Sequence, residues 1–139
     1  MVNSRSAGGS PTGDAALGGT TPSYRQWDVV VVPFPFIDGA HSRRRPALAI
    51  SSSDEFGSKI GHTVFAMITS AHNARWPLDV AISDLDTAGL PAPSVVRMKL
   101  FTLDERFVLK KAGVLGGADS RAVGESLAAL LGSAVFPSD

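Results

Sequence analysis

Between Trp27 and Phe34 the chain reads Trp-Asp-Val-Val-Val-Val-Pro-Phe, with four valines in succession. β-Branched side chains suit a pleated surface, and an unbroken apolar run, unlike an alternating one, predicts a strand buried on both faces. A loop follows, and a second apolar run from about Pro46 to Ser51 predicts a second strand. Ser52 to Gly61 is polar and contains glycine, which predicts a loop, and His62 to Thr69 is apolar with partial alternation, which predicts a third strand. Ser70 to Pro77 is another loop, and the alternation Leu-Asp-Val-Ala-Ile over 78–82 predicts a fourth strand. Beyond the turn-rich stretch Asp84 to Pro93, Ser94 to Phe101 reads as one strand with an irregularity at Met98. Thr102 to Glu105 resembles a capped turn in which the threonine hydroxyl accepts from the amide of Glu105. Phe107 to Lys111 predicts a last short strand, and Gly113 to Gly117 breaks the chain. A helix capped by Asp119 or Ser120 is expected to run to about Leu131, with Val123, Leu127, Leu130 and Leu131 on its apolar face and Gly132 at its end. Gly124 inside it costs about 1 kcal/mol relative to alanine, a cost that packing has to offset.

Several short strands and a terminal helix, without β-α-β alternation, predict a mostly β protein: a small, largely antiparallel barrel carrying a C-terminal helix. Residues 1–23 are rich in Gly, Ser, Thr and Pro and hold almost no large apolar side chains. Such a segment buries too little to offset ordering entropy, so a disordered tail is expected there and a single domain over 24–139.

Composition narrows the chemistry. The 139 residues carry 13 basic and 13 acidic side chains, so any surface for a polyanion has to be a local patch. The absence of cysteine excludes a disulfide framework, thiolate catalysis and Cys-ligated zinc. Three histidines and scattered acids give no recognisable metal-ligand spacing, and no cofactor motif is present. No apolar run approaches the roughly 20 residues of a membrane span, and the N-terminus lacks a signal-peptide core, so a cytoplasmic protein is expected.

The basic residues cluster near predicted strand ends. Arg43, Arg44 and Arg45 stand where the chain enters the second strand, and Pro46 pushes Arg45 into an extended conformation with little backbone freedom. That is a reasonable mounting for a residue that meets a phosphate, although an arginine before proline at a strand start is more often a solvated charge. His72, Asn73, Arg75 and Trp76 share the loop after Thr69 and Ser70. An aromatic and an arginine on one loop can stack and clamp an unpaired base, or the tryptophan can pack at a barrel mouth.

Taken in order, Trp27 to Phe36, Arg44 to Ser51, Met67 to Ser70, Gly89 to Arg97 and Lys99 to Asp104 resemble the MazF/PemK family, the toxin endoribonucleases of type II toxin–antitoxin pairs. The resemblance covers roughly residues 27–132. It implies an SH3-like barrel with extra helices, usually a homodimer, that cleaves single-stranded RNA without metal. In that chemistry the ribose 2′-hydroxyl attacks its own phosphate, leaving a cyclic phosphate and a 5′-hydroxyl. The family pattern carries the phosphate-stabilising arginine onto Arg45 and a positioning hydroxyl onto Thr69. In some relatives the arginine matched by Arg97 acts in catalysis with a nearby acid, but Met98-Lys99 stands where that acid would be. Candidate RNA-binding residues are His41, Arg43, Arg44, Ser70, Asn73, Arg75, Trp76 and Lys99. His41, a histidine with a pKa near neutrality, suits proton transfer or is simply an exposed loop residue. The expected partners are single-stranded RNA and a cognate antitoxin whose acidic, disordered segment would cover the basic site. Two alternatives stand beside this reading: an inhibitor of DNA gyrase built on a related barrel, and a barrel that binds RNA or protein without cutting.

Overall fold

The computed structural model describes residues 14–15, 17–18, 23–35 and 43–132. Within the expected N-terminal tail it describes a two-residue ladder, β1 (Asp14–Ala15) against β2 (Leu17–Gly18). Ser23, at the end of that segment, is also described; the rest of the tail expectation lies outside the described residues, as does His41.

The main body is one antiparallel sheet of six strands: β3 (Asp28–Phe34), β4 (Arg43–Ala49), β5 (His62–Ser70), β6 (Val80–Ala81), β7 (Ser94–Asp104) and β8 (Lys110–Val114). Its spatial order is β6-β7-β5-β4-β3-β8. The sheet curls into a half-barrel, as the element pattern predicts. The four-valine run behaves as a strand covered twice. Val29 joins one core cluster with Leu48, Ala66, Ile68, Val96 and Leu115, while Val30 and Val32 join another with Ala47, Ala49, Phe65 and Leu103. Successive residues alternate between the faces because the strand period is 2, so an unbroken apolar run feeds both clusters. The first cluster is roofed by Ala88 and Leu90 from α2 (Leu85–Ala88) and its exit, and by Val123 from α3 (Gly117–Leu131).

Several boundaries differ from the sequence pattern for identifiable reasons. The β4 ladder begins at Arg43, because Phe34 and Pro33 of β3 pair with Arg43 and Arg44. Residues 53–60 form a π-helical turn, Ser53–Gly57, leading into the helical turn α1 (Ser58–Ile60), started by the Ser52 hydroxyl accepting from Glu55 N–H. β7 is continuous through Asp104, and its irregularity is a bulge: Ala66 pairs with Leu100 but Met67 with Arg97, leaving Met98 and Lys99 as extra residues. Thr102 therefore lies in the strand, and the turn after it is capped by the Asp104 carboxylate, which accepts from Arg106 N–H at 2.9 Å. Phe107 falls in that 3₁₀ turn, which delays the last strand to Lys110. The fourth strand shrinks to Val80–Ala81, since Leu78 sits at φ 70° in a turn.

In α3 the N-cap is Gly116, neither Asp119 nor Ser120. The Asp119 carboxylate is instead spent across space: it accepts from Ser83 N–H at 3.0 Å, Ser83 Oγ at 2.7 Å and Asp84 N–H at 3.0 Å. This ties the helix start to the β6–α2 connection. Of the expected apolar face, Val123 is buried and Leu127 packs against the core, while Leu130 and Leu131 at the helix end are exposed. Among the described residues no helix is long and apolar enough to cross a membrane.

Candidate functional site

Antiparallel pairing brings the end of β3, the start of β4, the end of β5 and the start of β7 to one edge of the sheet. The β4–β5 ladder stops at Ala47↔Met67, and the strands part beyond it. There a cleft of about 190 Å³ opens, lined by Phe34, Arg45, Met67, Ile68, Thr69, Trp76, Arg97 and Lys99. Ladder partners on the face of the second core cluster include Val32 opposite Arg45, and Ala47 opposite Met67 opposite Arg97. The cleft is therefore the polar continuation of that cluster, on the face away from α3.

Of the residues singled out in the sequence, Arg45, Thr69, Trp76, Arg97 and Lys99 meet in this cleft. Arg45 is half-buried and makes no hydrogen bond or ion pair among the described residues. Its guanidinium stands on a strand segment stiffened by Pro46 and meets no hydrogen-bond or ion-pair partner among the described residues. The Thr69 hydroxyl accepts from Asn73 Nδ2 at 2.6 Å, so Asn73 orients it from the next turn. That turn is closed in addition by Asn73 N–H donating to Ser70 O and His72 N–H donating to Ser70 Oγ. Lys99, carried by the bulge, places Nζ 5.2 Å from the centre of the Phe34 ring. Arg43 lies on the same strand face as Arg45, exposed and outside the cleft lining, whereas alternation puts Arg44 on the opposite face. Arg75 is exposed on the loop outside the lining.

Arg97 is different in kind. Its Nε and Nη2 donate to Asp79 Oδ1 and Oδ2 at 3.1 and 2.9 Å, and Nη2 also reaches Ala74 O at 2.7 Å. The guanidinium carbon stands 4.9 Å from the centre of the Trp76 ring. The fork-to-fork hydrogen bonds from Arg97 hold the Asp79 carboxyl below its usual range, burial opposes them, and the Trp76 N–H adds to the lowering. Conversely, the Asp79 hydrogen bonds raise Arg97 further above an already high value. Both side chains are largely shielded, at 11% and 4% exposed. Trp76–Asp79 is a turn closed by Asp79 N–H donating to Trp76 O at 3.3 Å, with Pro77 at its second position. Leu78 occupies its third position at φ 70°. That region costs a residue other than glycine roughly 1–2 kcal/mol, so the Asp79 contacts hold a conformation the local sequence would not choose.

Asp79 is the site residue that the sequence pattern hid. Extending the register Val80↔Val96 by one step sets Asp79 opposite Arg97. The signal was available, but only after pairing the fourth strand with the fifth. Among the described residues no group of three or more His, Cys, Asp or Glu side chains stands together as metal ligands would.

Comparison with known proteins bears on this arrangement. A family model described as "PemK-like, MazF-like toxin of type II toxin-antitoxin system" matches residues 25–131. No curated protein matches the chain in sequence. Among solved structures, a MazE–MazF complex from Deinococcus radiodurans superposes with a TM-score of 0.60 at 21% identity, covering 79% of this chain and 96% of that one. A mycobacterial endoribonuclease in complex with its cognate antitoxin gives 0.62 at 16% identity, covering 80% and 95%. The Mycobacterium tuberculosis toxin MazF-mt6 gives 0.60 at 17% identity, covering 75% and 95%. At these identities the likeness is one of fold.

Proposed function

Because the chain belongs to the PemK-like, MazF-like toxins of type II toxin–antitoxin systems, we propose that it is an endoribonuclease that cuts single-stranded RNA without a metal ion. The observation that carries this reading is the guanidinium of Arg45, unpartnered among the described residues, in a cleft shared with the oriented hydroxyl of Thr69. In the reaction a ribose 2′-hydroxyl gives up its proton as its oxygen bonds to the adjacent phosphorus, the bond from phosphorus to the 5′-oxygen breaks, and that oxygen takes up a proton, so that no net proton is gained or lost. Negative charge builds on the two non-bridging oxygens. A planar guanidinium meets them with paired donors at a fixed spacing, which a lysine cannot do. Because no side chain among the described residues engages Arg45, its charge is available at the moment of reaction. Thr69 donates a hydrogen bond to the same phosphate, its oxygen already fixed by Asn73.

Lys99 adds a second cation with no ion pair among the described residues, which favours a polyanion over a neutral ligand. The Arg97 charge is balanced by Asp79, and we assign this pair to shaping the cleft. No acid follows Arg97 directly in the chain; the acid that pairs with it is Asp79, from another element, and it holds the arginine rather than moving a proton. We propose further that the protein works in the cytoplasm as a homodimer and is held in check by a cognate antitoxin. The antitoxin complexes among its structural neighbours support that partner. An acidic segment laid over Arg43, Arg45 and Lys99 would neutralise the site.

The test is incubation of the purified protein with mixed-sequence single-stranded RNA in EDTA, followed by end-group analysis. Discrete fragments with 5′-hydroxyl and 2′,3′-cyclic phosphate ends are expected, and their absence from an Arg45→Ala control. RNA left intact across varied sequences would overturn the assignment.

A further inference from the structure

Asp79 has every strong contact of a clamp and none of a proton carrier. Its two oxygens take both the Nε and Nη2 donors of Arg97 and the backbone N–H of Trp76 at 2.9 Å. Arg97 in turn holds Ala74 O, so β7 and the 74–79 segment are fastened at both ends of the loop. The product of this fastening is the position of Trp76. The indole belongs to neither core cluster, remains 44% exposed, and forms a wall of the cleft beside Arg45 and Thr69. Arg97 stands over one side of it. A large aromatic surface held open next to a phosphate-binding charge costs burial that a purely structural tryptophan would not forgo.

We propose that Asp79 is a positioning residue that clamps Arg97 and the 74–79 loop into one unit, and that this unit presents Trp76 as a stacking platform for the nucleobase beside the cut phosphate. The inference rests on the nuclease reading for its substrate and divides the site's labour. Arg45 and Thr69 serve the phosphate; Asp79, Arg97 and Trp76 serve the base. Stacking on an aromatic is tolerant of sequence, but a purine covers more of an indole than a pyrimidine does. The platform therefore favours a purine at that position.

The experiment combines kinetics with binding of an uncleavable ligand. Asp79→Asn keeps the shape and removes the charge; it is expected to raise KM about tenfold while kcat falls less than threefold. Trp76→Ala should do the same, Trp76→Phe should stay near the wild-type KM, and the double change Asp79→Asn with Trp76→Ala should be no worse than either alone. The chain has two tryptophans, and Trp27 packs against the core cluster on the other face. A 2′-deoxy oligonucleotide, which lacks the attacking hydroxyl, should therefore quench Trp76 fluorescence, and Trp76→Phe should abolish the quench. A hundredfold loss of kcat at unchanged KM in Asp79→Asn would overturn the proposal by placing Asp79 in the chemistry. Unchanged kinetics, or cutting by the wild type with no quench, would overturn it as well. If Asp79→Asn fails to fold by circular dichroism, the Trp76 variants and the quench decide alone. Quenching by a protein that cuts no RNA would sink the nuclease and leave the platform standing.

Discussion

Replacing Arg45 by alanine separates catalysis from stability more cleanly than any other change in the molecule. The guanidinium makes no hydrogen bond or ion pair among the described residues. Among the described residues its removal breaks no network, and a half-buried side chain without such contacts contributes little, so stability should shift by no more than about 0.5 kcal/mol. The same group is the sole unpaired guanidinium among the described lining residues of the cleft. Losing one preorganised charge-stabilising donor typically lowers the rate by about two to three orders of magnitude, or roughly 2.7–4 kcal/mol of barrier. The predicted signature is therefore a rate about 100- to 1000-fold lower with an unmoved thermal midpoint. Arg45→Lys restores the charge without the paired donors and should recover only part of the loss. The assay is single-turnover cleavage of an oligonucleotide containing the cut sequence, beside thermal unfolding of each variant. A residual rate within tenfold of wild type would refute the role of Arg45. Equally, an activity loss matched by a fall of several degrees in midpoint would show the arginine to be structural.

Asp119→Ala should cost about 3–5 kcal/mol, because Ser83 N–H, Ser83 Oγ and Asp84 N–H lose a buried anionic acceptor, and denaturant unfolding measures it. Burial raises the Asp119 pKa, but the hydrogen bonds from Asp84 and Ser83 outweigh it and leave the value lowered. Its contribution is thus complete above the unfolded-state value near 4 and is lost as pH falls through the folded one, a step that acid titration of Asp119→Ala should lack. Gly89→Ala should destabilise by about 3 kcal/mol: at φ 73° its new Cβ would lie 2.1 Å from Ala112 O, and backbone cannot step aside cheaply. Gly124→Ala should do the opposite and raise stability by about 1 kcal/mol, since an added Cβ within α3 meets nothing within 4 Å. Thermal unfolding reads both glycine changes.

How much of this was legible in the sequence depends on the range of the interaction involved. Strand β3 was visible in its valines, because burial on two faces is a property of the strand itself. The bulge in β7 could be placed at Met98 because it interrupts a local pattern. Caps were misassigned where a side chain had a distant partner. Asp119 looks like a helix cap in sequence, yet its acceptors are taken by Ser83 and Asp84, more than thirty residues away along the chain. Arg45 and Thr69 stood out only through resemblance, since an arginine before proline and a threonine ending a strand are ordinary on their own. What the structure adds is that Arg45 has no hydrogen-bond or ion-pair partner among the described residues, whereas Thr69 has Asn73.

Asp79 shows why the partner of Arg97 could not be found by looking along the chain. Next to Arg97 the sequence offers Met98 and Lys99, so a search by local spacing returns nothing. In an antiparallel sheet, however, the neighbours of a residue are those across the ladder, and the register of β6 on β7 carries Asp79 to the position facing Arg97. The alternation over 78–82 made Asp79 look like an outward strand residue. Two facts cancel that appearance: the turn at Leu78 ends the strand early, and the fork of Arg97 offers the carboxylate a geometry that solvent cannot match. The bidentate geometry, the shielding of both partners and the strained turn that delivers one of them all point to a contact the fold is built to hold. On the reading proposed above, the indole it positions is the platform for the base beside the cut phosphate.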